Sequence, residues 1–357
     1  MKAWRLERFG GNLSLKDVPV PQVRPGSVLV RIEASSLMSY LKPYVQGKLP
    51  IYNPPPGEFT IGTNGVGVVD VVGRDVWHLK PGQRVMLSSH FVARENVEDP
   101  AQILIGLTSG AGAEPVLADW PDGTLAEYAL MPVEAVTPAE GLDNVDAAQL
   151  AAVARCIVPY GGLLRGRLAP GETLIVNGAT GAYGSAAVLL GIALGAARVI
   201  AAGRNLAALE AVARAGGSRV SSVALTGDVK ADVAALRTAS GGGAHIAFDM
   251  VGQAKAPNST LAALHSLRRG GRLVLMGSMT SDLPVPYTML MLNSWEIIGQ
   301  FMYPAGAYRR LLDLLRSGLL DISAIRPRVY PLAALPEAMD AAAAAGNLEY
   351  VVVQPQR

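Results

Sequence analysis

Two hydrophobic rhythms divide this chain. Up to about residue 156, apolar residues come in short runs broken by turn signals such as Arg24-Pro25-Gly26 and Lys80-Pro81-Gly82. The glycine-laced run Gly62-Thr63-Asn64-Gly65-Val66-Gly67-Val68-Val69 and the partly alternating Val28 to Ile32 read as strands. The pattern predicts a β-rich module with long loops. Residues 90–123 hold Gly, Pro and acidic side chains with little periodicity, which predicts a long functional or mobile loop. From about residue 157 the rhythm changes to alternating strands and helices. The segments 173–176, 198–202, 246–250 and 272–276 are continuous apolar runs, as in parallel strands covered by helices on both faces. Helices are predicted over 185–194, 206–215 and 258–267, then a strand over 296–302 and an amphipathic helix over 308–320. An Ala-rich helix over 335–345 and a strand over 350–353 end the pattern.

At 357 residues the chain exceeds one compact core, so two domains are expected. A net charge of +2 without runs of one sign argues against a nucleic-acid partner or an anionic membrane surface. The most apolar stretch, 186–202, is split by Gly191 and Gly195 and reads as a helix and a strand, so no membrane partner is expected. The N-terminus enters a strand-like segment directly, with no signal-peptide pattern. The single cysteine, Cys156, excludes an intrachain disulfide framework and fits a reducing cytoplasm. It also excludes Cys-rich zinc, and the four histidines form no close ligand pair, so no metal is expected.

The most informative segment is 174–184, Leu-Ile-Val-Asn-Gly-Ala-Thr-Gly-Ala-Tyr-Gly. A strand runs into a glycine-punctuated turn and then a helix, the setting in which a doubly wound sheet receives a dinucleotide pyrophosphate. The spacing reads as A-x-G-x-x-G from Ala179, with Thr180, Gly181, Ala182 and Tyr183 in the turn and Gly184 packing the helix on the strand. At the end of the second strand stand Gly203, Arg204 and Asn205. No carboxylate is there to repel a 2′-phosphate, and Arg204 offers a charge-assisted contact, so NADPH is the expected cofactor. Further contacts are expected at strand ends: Val251-Gly252 and Gly277-Ser278.

A glycine-rich β module, a central dinucleotide fold and a C-terminal return to the first module together resemble the medium-chain dehydrogenase/reductase superfamily. The likeness is carried by Lys80-Pro81-Gly82-Gln83-Arg84-Val85, Gly123-Thr124-Leu125-Ala126-Glu127-Tyr128, Pro170-Gly171, the nucleotide turn and Leu335-Pro336-Glu337-Ala338. It implies an α/β protein with a GroES-like β-rich catalytic domain over 1–156 and 304–357. A Rossmann doubly wound parallel sheet would then span 157–303. Where zinc alcohol dehydrogenases of the superfamily carry a Gly-His-Glu ligand motif, this chain has Gly62-Thr63-Asn64. No Cys follows Ala34-Ser35-Ser36, and Cys156 falls two positions from the third ligand place.

The chain is therefore similar to the zinc-independent branch of quinone oxidoreductases and double-bond reductases, whose Asp-Pro-Tyr-Met-Arg-Gly-Arg-Met stretch resembles residues 41–49 here. The resemblance places Tyr44 at the cleft as a candidate hydrogen-bond donor to the substrate oxygen, with Thr63 and Asn64 as polar pocket groups. Ser39, Lys42 and His90 are further possibilities. Each has a plainer reading: a core tyrosine capping a backbone group, a turn between strands, a loop histidine. The expected activity is NADPH-dependent hydride transfer to an α,β-unsaturated carbonyl or quinone, where hydrogen-bond donors stabilise the enolate without a metal. Two alternatives stay open: a zinc-free NADP-dependent alcohol dehydrogenase or carbonyl reductase, and a non-catalytic NADPH-binding protein. A homodimer through the apolar edge strand at 296–302 is also expected.

Overall fold

The computed structural model describes residues 1–356, and the chain separates into two compact units. The first comprises Met1–Ala154, Ile325–Ala345 and the segment from Glu349 on; the second comprises Arg155–Ala324 and Gly346–Leu348.

The first unit is built on a seven-stranded sheet around the long strand Ser27–Ser36. That strand lies between Gly65–Val72 and Glu349–Gln354, and Tyr128–Pro132 also pairs with it. Val28, Val30 and Ile32 are fully buried with Val85, Leu87 and Met131, so the alternation visible in the sequence is the core-facing side of this strand. Segment 90–123 departs from the loop expectation. His90–Val92, Gln102–Leu104 and Thr108–Ser109 form a small antiparallel sheet, followed by a helix at Glu114–Asp119. Strands of two or three residues are too short to show a period, and only their partners define them.

The second unit carries a six-stranded sheet whose elements we number in chain order: β1 (Thr173–Asn177), α1 (Ala182–Ala193), β2 (Arg198–Gly203), α2 (Leu206–Gly216), β3 (Val220–Ala224), α3 (Val229–Ala239), β4 (Ala244–Asp249), α4 (Asn258–His265), β5 (Leu267–Leu275), α5 (Tyr287–Asn293), β6 (Glu296–Gly299) and α6 (Ala307–Arg316). All neighbours are parallel, in the order β3-β2-β1-β4-β5-β6. The strand order reverses between β1 and β4, which creates the crevice where open α/β sheets bind ligands. Ile175, Ile200, Ala247 and Leu273, one from each of four strands, are fully buried in its core.

Most of these elements match the sequence pattern to within a few residues. The unit β3–α3 is absent from that pattern. β3 is an edge strand reading Val-Ser-Ser-Val-Ala with no continuous apolar run, and α3 shows only Val229, Val233 and Leu236 at helical spacing. That helix is held at its start by Asp228, whose side chain accepts from the Ala231 N–H at 2.8 Å.

Candidate functional site

In the second unit the turn after β1 is a backbone device. Gly178 has φ +85°, a left-handed conformation that suits glycine, and its N–H and that of Ala179 both reach the Ala202 carbonyl at 3.0 Å. Its own carbonyl accepts from the Gly181 N–H at 3.0 Å. Any Cβ on Gly184 would overlap that same Gly178 carbonyl, so α1 presses onto the turn only because residue 184 has no side chain. Gly181 is the N-cap of α1, and no side chain caps this end of the helix there, the setting in which a helix N-terminus receives an anion. The glycine pattern thus begins at Gly178 rather than at Ala179. Ala179 is fully buried and contributes backbone; Gly181 is exposed, with Thr180, Ala182 and Tyr183 partly so.

At the end of β2, Gly203 is buried, and a Cβ there would stand 3.2 Å from Thr180 Cγ2, so the two turns touch. Arg204 is exposed and makes no hydrogen bond or ion pair among the described residues. Asn205 is the N-cap of α2, its side chain accepting from the Ala208 N–H at 3.1 Å. That bond engages its Oδ1 in capping α2.

Val251, Gly252, Gly277 and Ser278 come together past the ends of β4 and β5, where the Ser278 N–H donates to the Val251 carbonyl at 3.1 Å. A Cβ on Gly277 would lie 3.0 Å from Val251 N. Below them Asp249, 4 % exposed, accepts from the Val251 N–H at 2.9 Å and from the Thr260 hydroxyl, and it is the register partner of Asn177. Burial holds its carboxyl above the usual range, against the pull of its hydrogen bonds to Thr260, Val251 and Asn177.

A second group lies in the first unit. Gly62, at φ +126°, packs so closely that a Cβ would come within 2.7 Å of the backbone nitrogens of Thr124 and Leu125. This contact fixes the adjoining Thr63 and Asn64, which are 5 % and 8 % exposed. Asn64 Oδ1 accepts from the Ser89 N–H at 2.9 Å. A backbone donor thereby decides the amide orientation and leaves Nδ2 as the remaining donor. The Thr63 hydroxyl makes no hydrogen bond among the described residues. Together they present two neutral donors, suited to holding an oxygen on which negative charge develops.

Tyr44 is not part of that group. It is fully buried, its hydroxyl donates to the Leu107 carbonyl at 2.5 Å, and its ring packs on Phe9 and Tyr52 at 4.8 and 5.4 Å between centroids. Burial drives its pKa far above the ordinary tyrosine value. A committed proton in a closed site cannot serve substrate, so the plainer reading of Tyr44 as a core tyrosine is the one its geometry supports. Lys42 is ion-paired with Asp340, and the His90 ring is hydrogen-bonded to Gln102 at 3.0 Å within its hairpin.

With the geometry in place, comparison with known proteins becomes informative. Residues 24–141 match the family model described as "Alcohol dehydrogenase GroES-like domain", and residues 182–317 match "Zinc-binding dehydrogenase". A protein of Rhizobium meliloti (strain 1021) named "Putative D-xylulose reductase" is 30% identical over 95% of this chain and 96% of its own length. An alcohol dehydrogenase of Moraxella sp. (strain TAE123) is 29% identical over 89% of each chain. Among solved structures, 2R,3R-butanediol dehydrogenase from Bacillus subtilis superposes with a TM-score of 0.82, covering 99% of both chains at 20% identity. The chain belongs to the medium-chain dehydrogenase/reductase superfamily. It is an oxidoreductase of that nicotinamide-dependent class, with a GroES-like domain and a Rossmann-like parallel sheet.

These comparisons correct two expectations. The relatives are alcohol, xylulose and threonine dehydrogenases, and not specifically members of the zinc-independent quinone oxidoreductase branch. Reduction of conjugated carbonyls or quinones is therefore overturned as the reading of this site. That reading rests on the missing zinc ligands, which the relatives show to be compatible with an alcohol dehydrogenase fold. The match at residues 41–49 adds nothing to it, because Tyr44 is a packing residue.

The name of the second family model raises zinc, which takes thiolate, imidazole or carboxylate ligands. Among the described residues no three His, Cys, Asp or Glu side chains come together to hold a metal ion. Thr63 and Asn64 bring only neutral groups, Asn64 Oδ1 is already engaged, and burial pushes the Cys156 thiol up to about 12. These residues do not fit a zinc ion.

Proposed function

We propose that this protein is a zinc-free, NADP(H)-dependent alcohol dehydrogenase acting between a small secondary alcohol or polyol and its carbonyl compound. The carrying observation is the near full-length similarity to a D-xylulose reductase, supported by the alcohol dehydrogenase relative. When bound, the nicotinamide takes up or delivers hydride. The chain's residues do the rest. The Gly178–Gly184 turn and the first turn of α1 hold the pyrophosphate. Thr63 Oγ1 and Asn64 Nδ2 hold the substrate oxygen, whose proton passes to solvent water on oxidation and comes from it on reduction, and stabilise the oxygen's charge as the carbonyl bond forms or breaks.

The choice of NADP(H) is supported by the unpaired Arg204 and by the absence of a carboxylate at residue 203. A charge-assisted contact with a 2′-phosphate contributes about 1.5–3 kcal/mol, roughly tenfold to a hundredfold in affinity. We also infer a homodimer through β6, the edge strand of its sheet, beside which α5 presents Tyr287, Met291 and Leu292 to solvent. A dimer mass in sedimentation supports this; a monomer at micromolar concentration removes it.

The activity is tested by following nucleotide reduction at pH 8 with a panel of secondary alcohols and polyols, using NADP⁺ and NAD⁺, before and after chelator treatment. Turnover with NADP⁺ that survives chelation is expected. Failure of every alcohol to reduce either nucleotide overturns the proposal, and loss of activity on chelation overturns its metal-free part.

A further inference from the structure

We propose that Asn347 is a positioning residue that sets the spacing between the two helix N-termini holding the dinucleotide. The proposal rests on the nucleotide reading of the turns after β1 and β2.

Asn347 lies far along the chain from both turns. It belongs to a three-residue segment, Gly346–Leu348, that packs with the second unit although the chain on either side of it belongs to the first. Its backbone carbonyl accepts from the hydroxyl of Ser185 at 2.6 Å. Ser185 is 1 % exposed and is the fourth residue of α1, directly after Gly184. The Asn347 side chain reaches the other helix, with Nδ2 donating to the Ala208 carbonyl at 2.7 Å in the first turn of α2. The Leu348 N–H donates to Asn347 Oδ1 at 2.9 Å, so a backbone donor fixes the orientation of the amide. Ala208 is also the residue whose N–H is capped by Asn205, next to Arg204. One residue therefore braces the first turn of α1 against the first turn of α2.

These two turns serve different parts of one ligand. The start of α1 faces the pyrophosphate, and the loop before α2 faces the adenosine ribose with its 2′-phosphate. A dinucleotide has to satisfy both at once, so its affinity depends on the distance between them. A fragment carrying only the adenosine 2′-phosphate engages one turn and is indifferent to that distance. Comparing the two ligands separates positioning from general stability.

The experiment uses the full chain and compares dissociation constants of NADPH and of 2′-AMP for wild type, Asn347→Asp and Ser185→Ala. Asn347→Asp keeps the acceptor for Leu348 N–H but turns a carboxylate oxygen toward the Ala208 carbonyl. We expect it to weaken NADPH about tenfold while 2′-AMP changes by less than about threefold. Ser185→Ala should show the same split at smaller size, and it carries the test should Asn347→Asp fail to fold. Equal losses for both ligands, or a lowered melting temperature with unchanged NADPH affinity, overturn the proposal. A wild-type chain that binds neither NADPH nor NADH instead overturns the nucleotide reading beneath it.

Discussion

The carbonyl oxygen of Gly178 occupies the space that a side chain on Gly184 would need. The six-residue separation between them is the whole glycine turn after β1, and its tightness is a backbone contact. Gly184→Ala must push α1 off the turn. We expect a stability loss of about 1–3 kcal/mol from overpacking, together with loss of measurable NADPH binding. Calorimetric titration checks this, and wild-type affinity in the variant would show that α1 need not press on Gly178.

Arg204→Ala separates the two nucleotides. NADPH binding should weaken roughly tenfold to a hundredfold, with NADH binding within about twofold of wild type. Fluorescence titration with each reduced nucleotide reads the ratio. Equal weakening of both would deny Arg204 a 2′-phosphate partner.

For Tyr44 the prediction concerns stability. Tyr44→Phe leaves the Leu107 carbonyl without its donor in a closed core, at a cost of about 1–3 kcal/mol. The turnover number should stay within about twofold of wild type, whereas removal of a general acid would lower it by about a hundredfold or more.

Thr63→Val should do the opposite. The Thr63 hydroxyl has no hydrogen bond among the described residues to lose, so urea denaturation should change little. Turnover should fall about a hundredfold, the usual size for one donor to a developing oxyanion. An active variant would remove Thr63 from the chemistry.

The buried carboxyl of Asp249 predicts a pH signature. Its folded pKa lies above the unfolded value of 3.8, so the folded protein holds the proton more tightly than the unfolded chain. The stability this provides is complete below that value and is lost as pH rises through the folded pKa. Asp249→Asn cannot ionise and keeps an acceptor for the Val251 N–H. The stability of wild type relative to Asp249→Asn should therefore fall as pH rises from about 4 to 7 in urea denaturation. A difference independent of pH would mean that Asp249 titrates normally.

The parallel strands were legible because burial on both faces leaves continuous apolar runs, as in Leu174-Ile175-Val176 and Val199-Ile200-Ala201. The nucleotide turn was legible for a related reason: close backbone contact demands glycine at set spacing. Gly178 carries that signal too, one residue before the Ala179 at which the A-x-G-x-x-G spacing starts. Arg204 could be placed by its position after β2, since strand ends face the crevice.

Other features depend on groups brought together from far along the chain. Tyr44 reads equally as a hydrogen-bond donor to substrate or a core residue until the Leu107 carbonyl, 63 residues away, is found at its hydroxyl. Asn64 is left with Nδ2 as its spare donor only because Ser89 N–H claims its oxygen. Asn347, in a chain segment with no motif, acquires meaning from Ser185 and Ala208. Repeating apolar patterns and glycine spacing are local, because backbone geometry imposes them residue by residue. The use to which a hydroxyl or amide is put is settled by its partner, and partner choice emerges only when folding brings distant segments into contact.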